Sequence, residues 1–311
     1  MSAVSVSDGS NFEGIEFARA NPAVLIPWTD ESSAVSLNIA VVDTGETTGD
    51  TFLLLHGEPS WSALYSEWIP ELIADGHRCV AVDLPGFGRS DKPLVESWYT
   101  YERHCAALRH VIESLDLERM SIVVQDWAGP IGLRQLVDMP GRFVRAFVFN
   151  TWLHHPGYVY SEGIERWQAM ATDPEVFGTL MPAGRIVAGS MRREHDAAEV
   201  ARVFDAPFET LESRAGARAF PKMIPFDGNE RGGASQQHRC HDALIRGLGI
   251  PVHFAFGDAD PVFTAEQGRA WATSVPESTF DVIPGAGHFV QFDAAQDCLA
   301  VVRRHVPRTR P

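Results

Sequence analysis

The sequence predicts an α/β fold, with a mostly parallel central sheet flanked by helices and a helical insertion late in the chain. Short apolar runs rich in β-branched residues alternate with segments whose apolar residues recur at helical spacing. The predicted strands cover residues 52–55, 79–83, 121–124, 143–150, 252–256 and 279–283, and the clearest helices cover 101–115 and 289–304. This alternation is typical of a parallel sheet that is covered on both faces.

The strand pattern stops between about residues 151 and 225, where helical fragments such as 198–204 replace it. We therefore expect a core domain made of residues 1–150 and 226–311, with residues 151–225 forming a helical cap. A cap of this kind would close a site on the core and exclude water from it.

Asp126 stands where the apolar run 121–124 ends and a helix begins at Ala128 and Gly129. This strand–turn–helix pattern is the nucleophile elbow of α/β hydrolases, with Asp in place of the usual Ser. A carboxylate is already a nucleophile at neutral pH, so it can displace a leaving group from a saturated carbon without activation. The neighbouring indole N–H of Trp127 is suited to holding an anion. The alternative is that Asp126 only caps the helix.

Two further elements of a catalytic triad follow in the order nucleophile, acid, histidine that this fold uses. Asp258 and Asp260 lie in the loop after strand 252–256, and His288 follows strand 279–283 and a glycine-rich loop. Upstream, the strand at 52–55 breaks into a turn at Glu58. In this fold that turn supplies the first backbone N–H group of an oxyanion hole.

Composition narrows the possible functions. The chain has 311 residues, 45% hydrophobic and 22% charged, which suits one globular domain with an insertion. A net charge of -15 argues against nucleic-acid or anionic-membrane partners, which require a basic surface. The N-terminus lacks the pattern of a secretory signal and no apolar run is long enough to span a membrane, so we expect a cytoplasmic protein.

The cysteines do not indicate a metal site. Cys79, Cys105, Cys240 and Cys298 are scattered, without metal-ligand or CxxC spacing. Cys79 and Cys105 are expected to be buried thiols. The group His238, Cys240 and His241 resembles a metal cluster, but no second ligand cluster accompanies it, so a surface segment is the better interpretation. No cofactor and no metal are predicted.

The motifs taken together resemble the haloalkane dehalogenases of the α/β-hydrolase superfamily, and within them the subgroup that holds the halide with two tryptophans. The matching segments are HGEPSW at 56–61, DLPGFGRSDKP at 83–93, VQDW at 124–127, NTWL at 150–153, APF at 206–208, FPKM at 220–223 and GHFVQ at 287–291. They run in order over nearly the whole domain. Ala128 departs from the family, which more often has Gly there.

The resemblance implies roles for the triad. Asp126 would be the nucleophile, His288 the base and Asp260 the acid that orients it, with Asp258 as the competing choice for the acid. An alkyl ester of Asp126 would form as the halide leaves. Water activated by the histidine would then hydrolyse that ester to an alcohol. The expected partners are a small halogenated hydrocarbon and the halide product, and the oligomeric state stays open.

The resemblance also implies the groups that surround the triad. Trp127 and, from the cap, Trp167 would bind the halide, although Trp167 could instead be plain cap packing. The backbone N–H groups of Glu58 and Trp127 would form the oxyanion hole. The candidates for the apolar pocket wall are Trp152, Phe220, Pro221, Val262 and Phe289.

Two other functions remain open at this point. An epoxide hydrolase would share the Asp nucleophile and the His–Asp pair, but it would need phenolic donors from the cap. The cap carries Tyr158 and Tyr160, which are only two residues apart, whereas converging phenols come more naturally from separate helices. A non-catalytic ligand receptor on this fold is the other alternative, and the intact set Asp126, Asp260 and His288 argues against it.

Overall fold

A computed structural model describes residues 4–6, 9–306 and 308, so the first three residues of the N-terminus lie outside the described part. The strands are β1 (Val4–Ser5), β2 (Ala23–Asp30), β3 (Val35–Asp43), β4 (Thr51–Leu55), β5 (Arg78–Val82), β6 (Lys92–Pro93), β7 (Met120–Val124), β8 (Phe143–Phe149), β9 (Val252–Gly257) and β10 (Ser278–Ile283). Eight of them form one sheet in the order β10-β9-β8-β7-β4-β5-β3-β2. β1 pairs with β6 separately.

Parallel pairing dominates the sheet. The pairs from β10 to β5 are all parallel, whereas β3 pairs antiparallel with both β5 and β2. The predicted mostly parallel α/β fold is therefore confirmed. The antiparallel β2–β3 hairpin was not predicted, although alternating burial at Ile26, Trp28 and Asp30 is the period-two pattern of a strand with one covered face.

Helices cover both faces of the sheet. They are α1 (Glu16–Ala20), α2 (Trp68–Ala74), α3 (Tyr101–Ser114), α4 (Ala128–Asp138), α5 (Glu162–Thr172), α6 (Ala183–Ser190), α7 (Ala197–Asp205), α8 (Ala215–Met223), α9 (Ala234–Arg246), α10 (Ala265–Ser274), α11 (Val290–Asp293) and α12 (Ala295–His305). The predicted helix at 289–304 is thus two helices, because Ala294 leaves helical geometry between α11 and α12. Helices α5 to α8 fall within the predicted cap segment, between β8 and α9.

The core consists of two apolar clusters, one on each face of the sheet. Side chains of a strand alternate between faces, and in β4 Leu53 and Leu55 join one cluster while Phe52 and Leu54 join the other. The predicted buried thiols Cys79 and Cys105 are confirmed.

Cys240 is also fully buried, on α9, which corrects the expectation that this segment lies on the surface. The amphipathic spacing of α9 explains the difference, because its buried side includes Ala234, Gln237, Cys240 and Leu244.

Candidate active site

Asp126 occupies a sharp turn between β7 and α4, at the carboxyl end of the central parallel strands. Its φ of 50° lies in the left-handed region, which non-glycine residues rarely adopt. Three hydrogen bonds hold this turn. The N–H of Asp126 donates to the Asn150 carbonyl at 2.9 Å, and its own carbonyl accepts from the Gly129 N–H at 2.8 Å and from the Thr151 hydroxyl at 2.5 Å. The strained backbone is therefore fixed by β8 and by the first turn of α4.

Two glycines allow the elbow to pack closely. A Cβ atom on Gly57 would lie 2.4 Å from the Asp126 side chain, and one on Gly129 would lie 1.9 Å from the Thr151 hydroxyl oxygen. Both distances are far below van der Waals contact, so a side chain at either position would displace the elbow. Ala128, the departure from the family pattern, is fully buried at the start of α4.

The two oxygens of the Asp126 carboxylate have different neighbours. Oδ1 accepts a hydrogen bond of 2.8 Å from the backbone N–H of Glu58, in the turn after β4. Oδ2 lies 3.6 Å from Nε2 of His288. The carboxylate is only 7% exposed, so its charge is met mainly by protein groups rather than by bulk water.

His288 and Asp260 form the second half of the site. Nδ1 of His288 lies 2.9 Å from Oδ2 of Asp260, which is itself buried. The side-chain amide of Asn150 donates to the same Oδ2 at 2.8 Å, and the N–H of Val262 donates to Oδ1 at 2.8 Å. Both Asp260 oxygens are thus bonded, which fixes the orientation of the carboxylate and of the imidazole.

Asp258, the competing candidate for the acid, lies elsewhere. Its Oδ1 accepts from the backbone N–H of Gly285 at 2.6 Å and ties the loop after β9 to the loop after β10. The structure therefore brings Asp260, and not Asp258, to the imidazole.

Opposing effects act on the pKa of His288. Burial lowers this pKa. The charges of Asp260 and Asp126 and the hydrogen bonds to both residues raise it by more, so that the pKa is about 10. The imidazolium form is accordingly well stabilised while both neighbouring carboxylates are charged.

Gln125, directly before Asp126, reaches the base from its other side. Its amide nitrogen lies 3.0 Å from the backbone carbonyl oxygen of His288 and 3.1 Å from Nε2 of the same residue. Gln125, Asn150 and Thr151 all lie in matched motifs, but the motifs by themselves do not predict these contacts. The signal that could have identified them is their position, because all three are buried polar residues just beyond the ends of β7 and β8.

A small cavity of about 50 Å³ opens above the carboxylate. Its walls come from the core and from the cap segment, and they are largely apolar. The lining residues are Glu58, Asp126, Trp127, Trp152, Ile164, Trp167, Ile186, Ser190, Ile224, Val262, Phe263, His288 and Phe289. The predicted residues Trp127 and Trp167 thus share one cavity with the carboxylate, together with the predicted wall residues Trp152, Val262 and Phe289.

Phe220 and Pro221 were expected to line the pocket, and this is corrected by the structure. Neither is among the described residues that line the cavity. The ring of Phe220 instead packs edge-on against the Trp127 ring at 5.1 Å and lies tilted against the His104 ring at 4.8 Å. Both residues lie in α8, whose buried side faces the core of the domain.

Trp152 and Glu58 carry buried polar atoms beside the cavity. Nε1 of Trp152 and Oε1 of Glu58 have no hydrogen-bonding partner among the residues that the structure describes. Burial raises the pKa of Glu58 well above its usual value, and the charge of Asp126 adds to this while His288 opposes it. Burial and the charge of Asp126 therefore favour the neutral acid form of Glu58 over its carboxylate.

No cluster of three or more His, Cys, Asp or Glu residues suited to a metal ion occurs within residues 4–6, 9–306 and 308. Over the same part of the chain, no helix combines the length and apolar character needed to cross a membrane.

The fold and the carboxylate–histidine site define an α/β hydrolase. The family profile for the alpha/beta hydrolase fold matches residues 50–295, which is most of the chain. Among curated proteins, a haloalkane dehalogenase of Psychrobacter cryohalolentis is 36% identical over 290 residues, covering 92% of each chain. One from Mycolicibacterium paratuberculosis is 40% identical over 268 residues, covering 83% of each.

A solved structure agrees with these relatives. The tetrameric haloalkane dehalogenase DpaA from Paraglaciecola agarilytica superposes with a TM-score of 0.82 at 32% identity, covering 96% of this chain and 98% of the other. The chain belongs to the haloalkane dehalogenases. The resemblance inferred from the motifs is thereby confirmed, whereas the two-tryptophan subgroup stays a prediction.

Proposed function

We propose that this protein hydrolyses carbon–halogen bonds of small halogenated alkanes through an alkyl ester of Asp126. One observation carries the proposal. A buried carboxylate held in a strained elbow faces an apolar cavity that three indoles line, with a histidine–aspartate pair at its side. A carboxylate nucleophile, an apolar substrate site and candidate anion-binding N–H groups are the parts that displacement of a halide needs.

In the first step, Oδ2 of Asp126 attacks the halogen-bearing carbon from the side opposite the halogen. The new C–O bond forms as the carbon–halogen bond breaks, and the electron pair of that bond leaves with the halide. Negative charge therefore moves from the carboxylate toward the far wall of the cavity. We assign Trp127 and Trp167 to meet this charge with their indole N–H groups, because interactions that strengthen as charge develops accelerate the step.

In the second step, water adds to the ester carbonyl carbon of Asp126 and gives its proton to Nε2 of His288. The N–H of Glu58, with that of Trp127 as its assigned partner, would stabilise the oxyanion. Collapse of the intermediate breaks the bond to the alkoxide, which takes the proton back from His288. The products are the alcohol and a carboxylic acid on Asp126 that ionises, so the net yield is alcohol, halide and one proton.

Halide release from brominated and chlorinated alkanes tests this proposal directly. Wild type should release bromide from a 1-bromoalkane, and Asp126→Asn should not, because the amide oxygen is a far poorer nucleophile. Circular dichroism of both proteins would show that the variant is folded. A folded wild-type protein that releases no halide from any alkane of the panel would overturn the proposal.

Epoxide hydrolysis is the second candidate, since the same nucleophile opens epoxides when cap phenols protonate the leaving oxygen. The positions of the cap phenols weaken it. The Tyr160 hydroxyl bonds to Nδ1 of His154 at 2.8 Å, and Tyr158 lines a separate cavity near Trp271. Neither phenol is among the described residues that line the cavity above Asp126. Styrene oxide added to the same assay would distinguish the two reactions.

A further inference from the structure

The contacts of Gln125 determine which of its atoms faces the catalytic histidine. A backbone carbonyl oxygen can only accept a hydrogen bond, so the Gln125 atom that lies 3.0 Å from the His288 carbonyl has to be the amide nitrogen. The same nitrogen lies 3.1 Å from Nε2 of His288. An amide NH₂ group carries two protons, so it can donate to both atoms, provided that Nε2 carries a lone pair and no proton.

The opposite side of the ring shows where the proton of the neutral form lies. Nδ1 of His288 lies 2.9 Å from Oδ2 of Asp260, a carboxylate that only accepts, so Nδ1 carries the ring proton. We propose that Gln125 is a positioning residue that holds His288 as this neutral Nδ1–H tautomer in the ester intermediate, until the attacking water displaces the Gln125 N–H from Nε2 and gives its proton to that atom. The inference rests on the proposed function, in which His288 takes a proton from water.

Protonation of Nε2 would break this arrangement. An Nε2–H group would point at the amide protons of Gln125, and rotating the amide to present Oε1 would set that oxygen against the His288 carbonyl. Oε1 of Gln125 is buried and has no hydrogen-bonding partner within the described part of the chain. The Gln125 amide can therefore make both hydrogen bonds when the imidazole is neutral, but it loses one of them when the imidazole is charged. Hydrogen bonds that favour the neutral form lower a histidine pKa.

The charged groups around the imidazole act in the other direction. Asp126 and Asp260 raise the pKa of His288, and Glu58 interacts with it from the turn after β4. On the side of α6, Arg192 directs its guanidinium to backbone carbonyls instead of to the ring. Formation of the ester removes the negative charge of Asp126. In the ester intermediate, burial and the Gln125 hydrogen bond lower the pKa of His288, and of the two carboxylates only Asp260 still raises it. We therefore expect the base to be neutral at the stage that needs it.

Replacing Gln125 with Met removes both hydrogen bonds while keeping side-chain length and burial. The rate of ester hydrolysis should rise with pH as His288 loses its proton and then level off. We expect the midpoint of this rise to move upward by about one pH unit in Gln125→Met, since one hydrogen bond to the neutral form is worth roughly that shift. Rapid-quench measurement of alcohol formation after the halide burst gives the midpoint.

Gln135 in α4 offers a matched control. It is also fully buried, its amide nitrogen donates to a backbone carbonyl, that of Cys105, at 3.1 Å, and its Oε1 likewise lacks a partner among the residues described. Gln135→Met should lose stability in the same way as Gln125→Met but leave the pH midpoint where it is in wild type. Equal midpoints in wild type and Gln125→Met, or a downward shift, would overturn the inference.

Two NMR measurements keep the inference separate from the proposed function. The pKa of His288 in the free protein, followed by ¹⁵N shifts, should also be higher in Gln125→Met than in wild type, whether or not any haloalkane is turned over. In wild type above that pKa, a ¹⁵N–¹⁵N coupling across the hydrogen bond should join the Gln125 amide to Nε2. Absence of the coupling would overturn the inference even if the variant did not fold. Failure of bromide release alone would affect only the proposed function.

Discussion

The backbone N–H of Glu58 donates to Oδ1 of Asp126 at 2.8 Å, which leaves Oδ2 as the oxygen nearer His288. The donor that would hold an oxyanion during ester hydrolysis is thus already engaged with the resting carboxylate. No reorganisation is needed for it to stabilise the tetrahedral intermediate on the same oxygen. One carboxylate oxygen is anchored, and the other is free to attack.

This division of roles predicts the fate of oxygen during one turnover. In H₂¹⁸O with enzyme in excess, the label should enter Asp126, because water attacks the ester carbonyl carbon and the alcohol takes its oxygen from the carboxylate. Mass spectrometry of the peptide that contains Asp126, and of the alcohol, measures the distribution. Label in the alcohol during the first turnover would mean that water attacks the substrate directly and that no ester forms.

Replacing the base should stop the reaction after its first step. His288→Gln should release about one bromide per chain and then stall, since nothing removes the proton of the attacking water. Intact-protein mass should rise by one alkyl group, and digestion should place that group on Asp126. The double variant Asp126→Asn/His288→Gln is the control and should acquire no adduct. Steady bromide release by His288→Gln would show that His288 is not the base.

The sequence predicted the elbow well because strand, turn and helix are local there and the chemistry falls on one residue. It could not decide between Asp258 and Asp260, which share a loop and the same residue type. The decision depends on a long-range contact from the Asn150 amide, just beyond β8, which with the local Val262 N–H binds both oxygens of Asp260.

Sequence patterns also do not predict where a side chain points once its strand has ended. Gln125 meets His288 across 163 positions of the chain, because parallel pairing places the carboxyl ends of β7 and β10 at the same edge of the sheet. Phe220 lies in a matched motif, yet its ring packs against Trp127 and is not among the described residues that line the cavity. The motifs therefore predicted that these residues lie near the active site, but not which groups their side chains contact.

The roles of the tryptophans that line the cavity can be distinguished by replacing each one with Phe. Trp127→Phe and Trp167→Phe should each slow bromide formation by about 10- to 150-fold, because a hydrogen bond to a charged group is worth roughly 1.5–3 kcal/mol. Halide affinity, measured by quenching of the remaining tryptophan fluorescence, should fall in parallel. A loss in only one variant would show that the other indole is plain packing.

Trp152→Phe is the matched control for these variants. Trp152 lines the same cavity and stacks on Phe263 at 4.8 Å, but the proposed mechanism gives no role in halide binding to its Nε1, which bonds to nothing among the described residues. Removing that N–H should cost no hydrogen bond to halide. A fall in halide affinity as large as that of Trp127→Phe would therefore show that the Trp152 N–H also binds the halide, which the proposed mechanism does not include.

The cap phenols should be dispensable for dehalogenation. The Tyr160 hydroxyl is bonded to His154, and Tyr158 lines the larger cavity of about 470 Å³ beside α9 and α10. The double variant Tyr158→Phe/Tyr160→Phe should keep bromide release within about threefold of wild type, because surface and second-cavity changes of this size are small. Loss of all turnover in a folded double variant would favour the epoxide chemistry instead.

Glu58 should make stability depend on pH. Its pKa is raised from about 4.5 by burial and by Asp126, so the folded state keeps a proton that the unfolded chain loses near that pH. The stabilisation is fully present below pH of about 4.5 and is lost as pH rises toward the higher folded value. Glu58→Gln carries a neutral amide of the same shape, so the variant does not lose this stabilisation as pH rises. Wild-type stability relative to the variant should therefore fall above this range, by at most about 1.4 kcal/mol per pH unit.

Urea unfolding of wild type and Glu58→Gln at a series of pH values measures this difference. Glu175→Gln, at an exposed position between α5 and α6, serves as the control and should follow wild type throughout. Wild-type and Glu58→Gln curves that stay parallel across the whole range would mean that Glu58 ionises equally in both states. A buried carboxyl with an unpartnered oxygen beside the charge of Asp126 should not behave in that way, because ionising it would place a second negative charge in the same desolvated site.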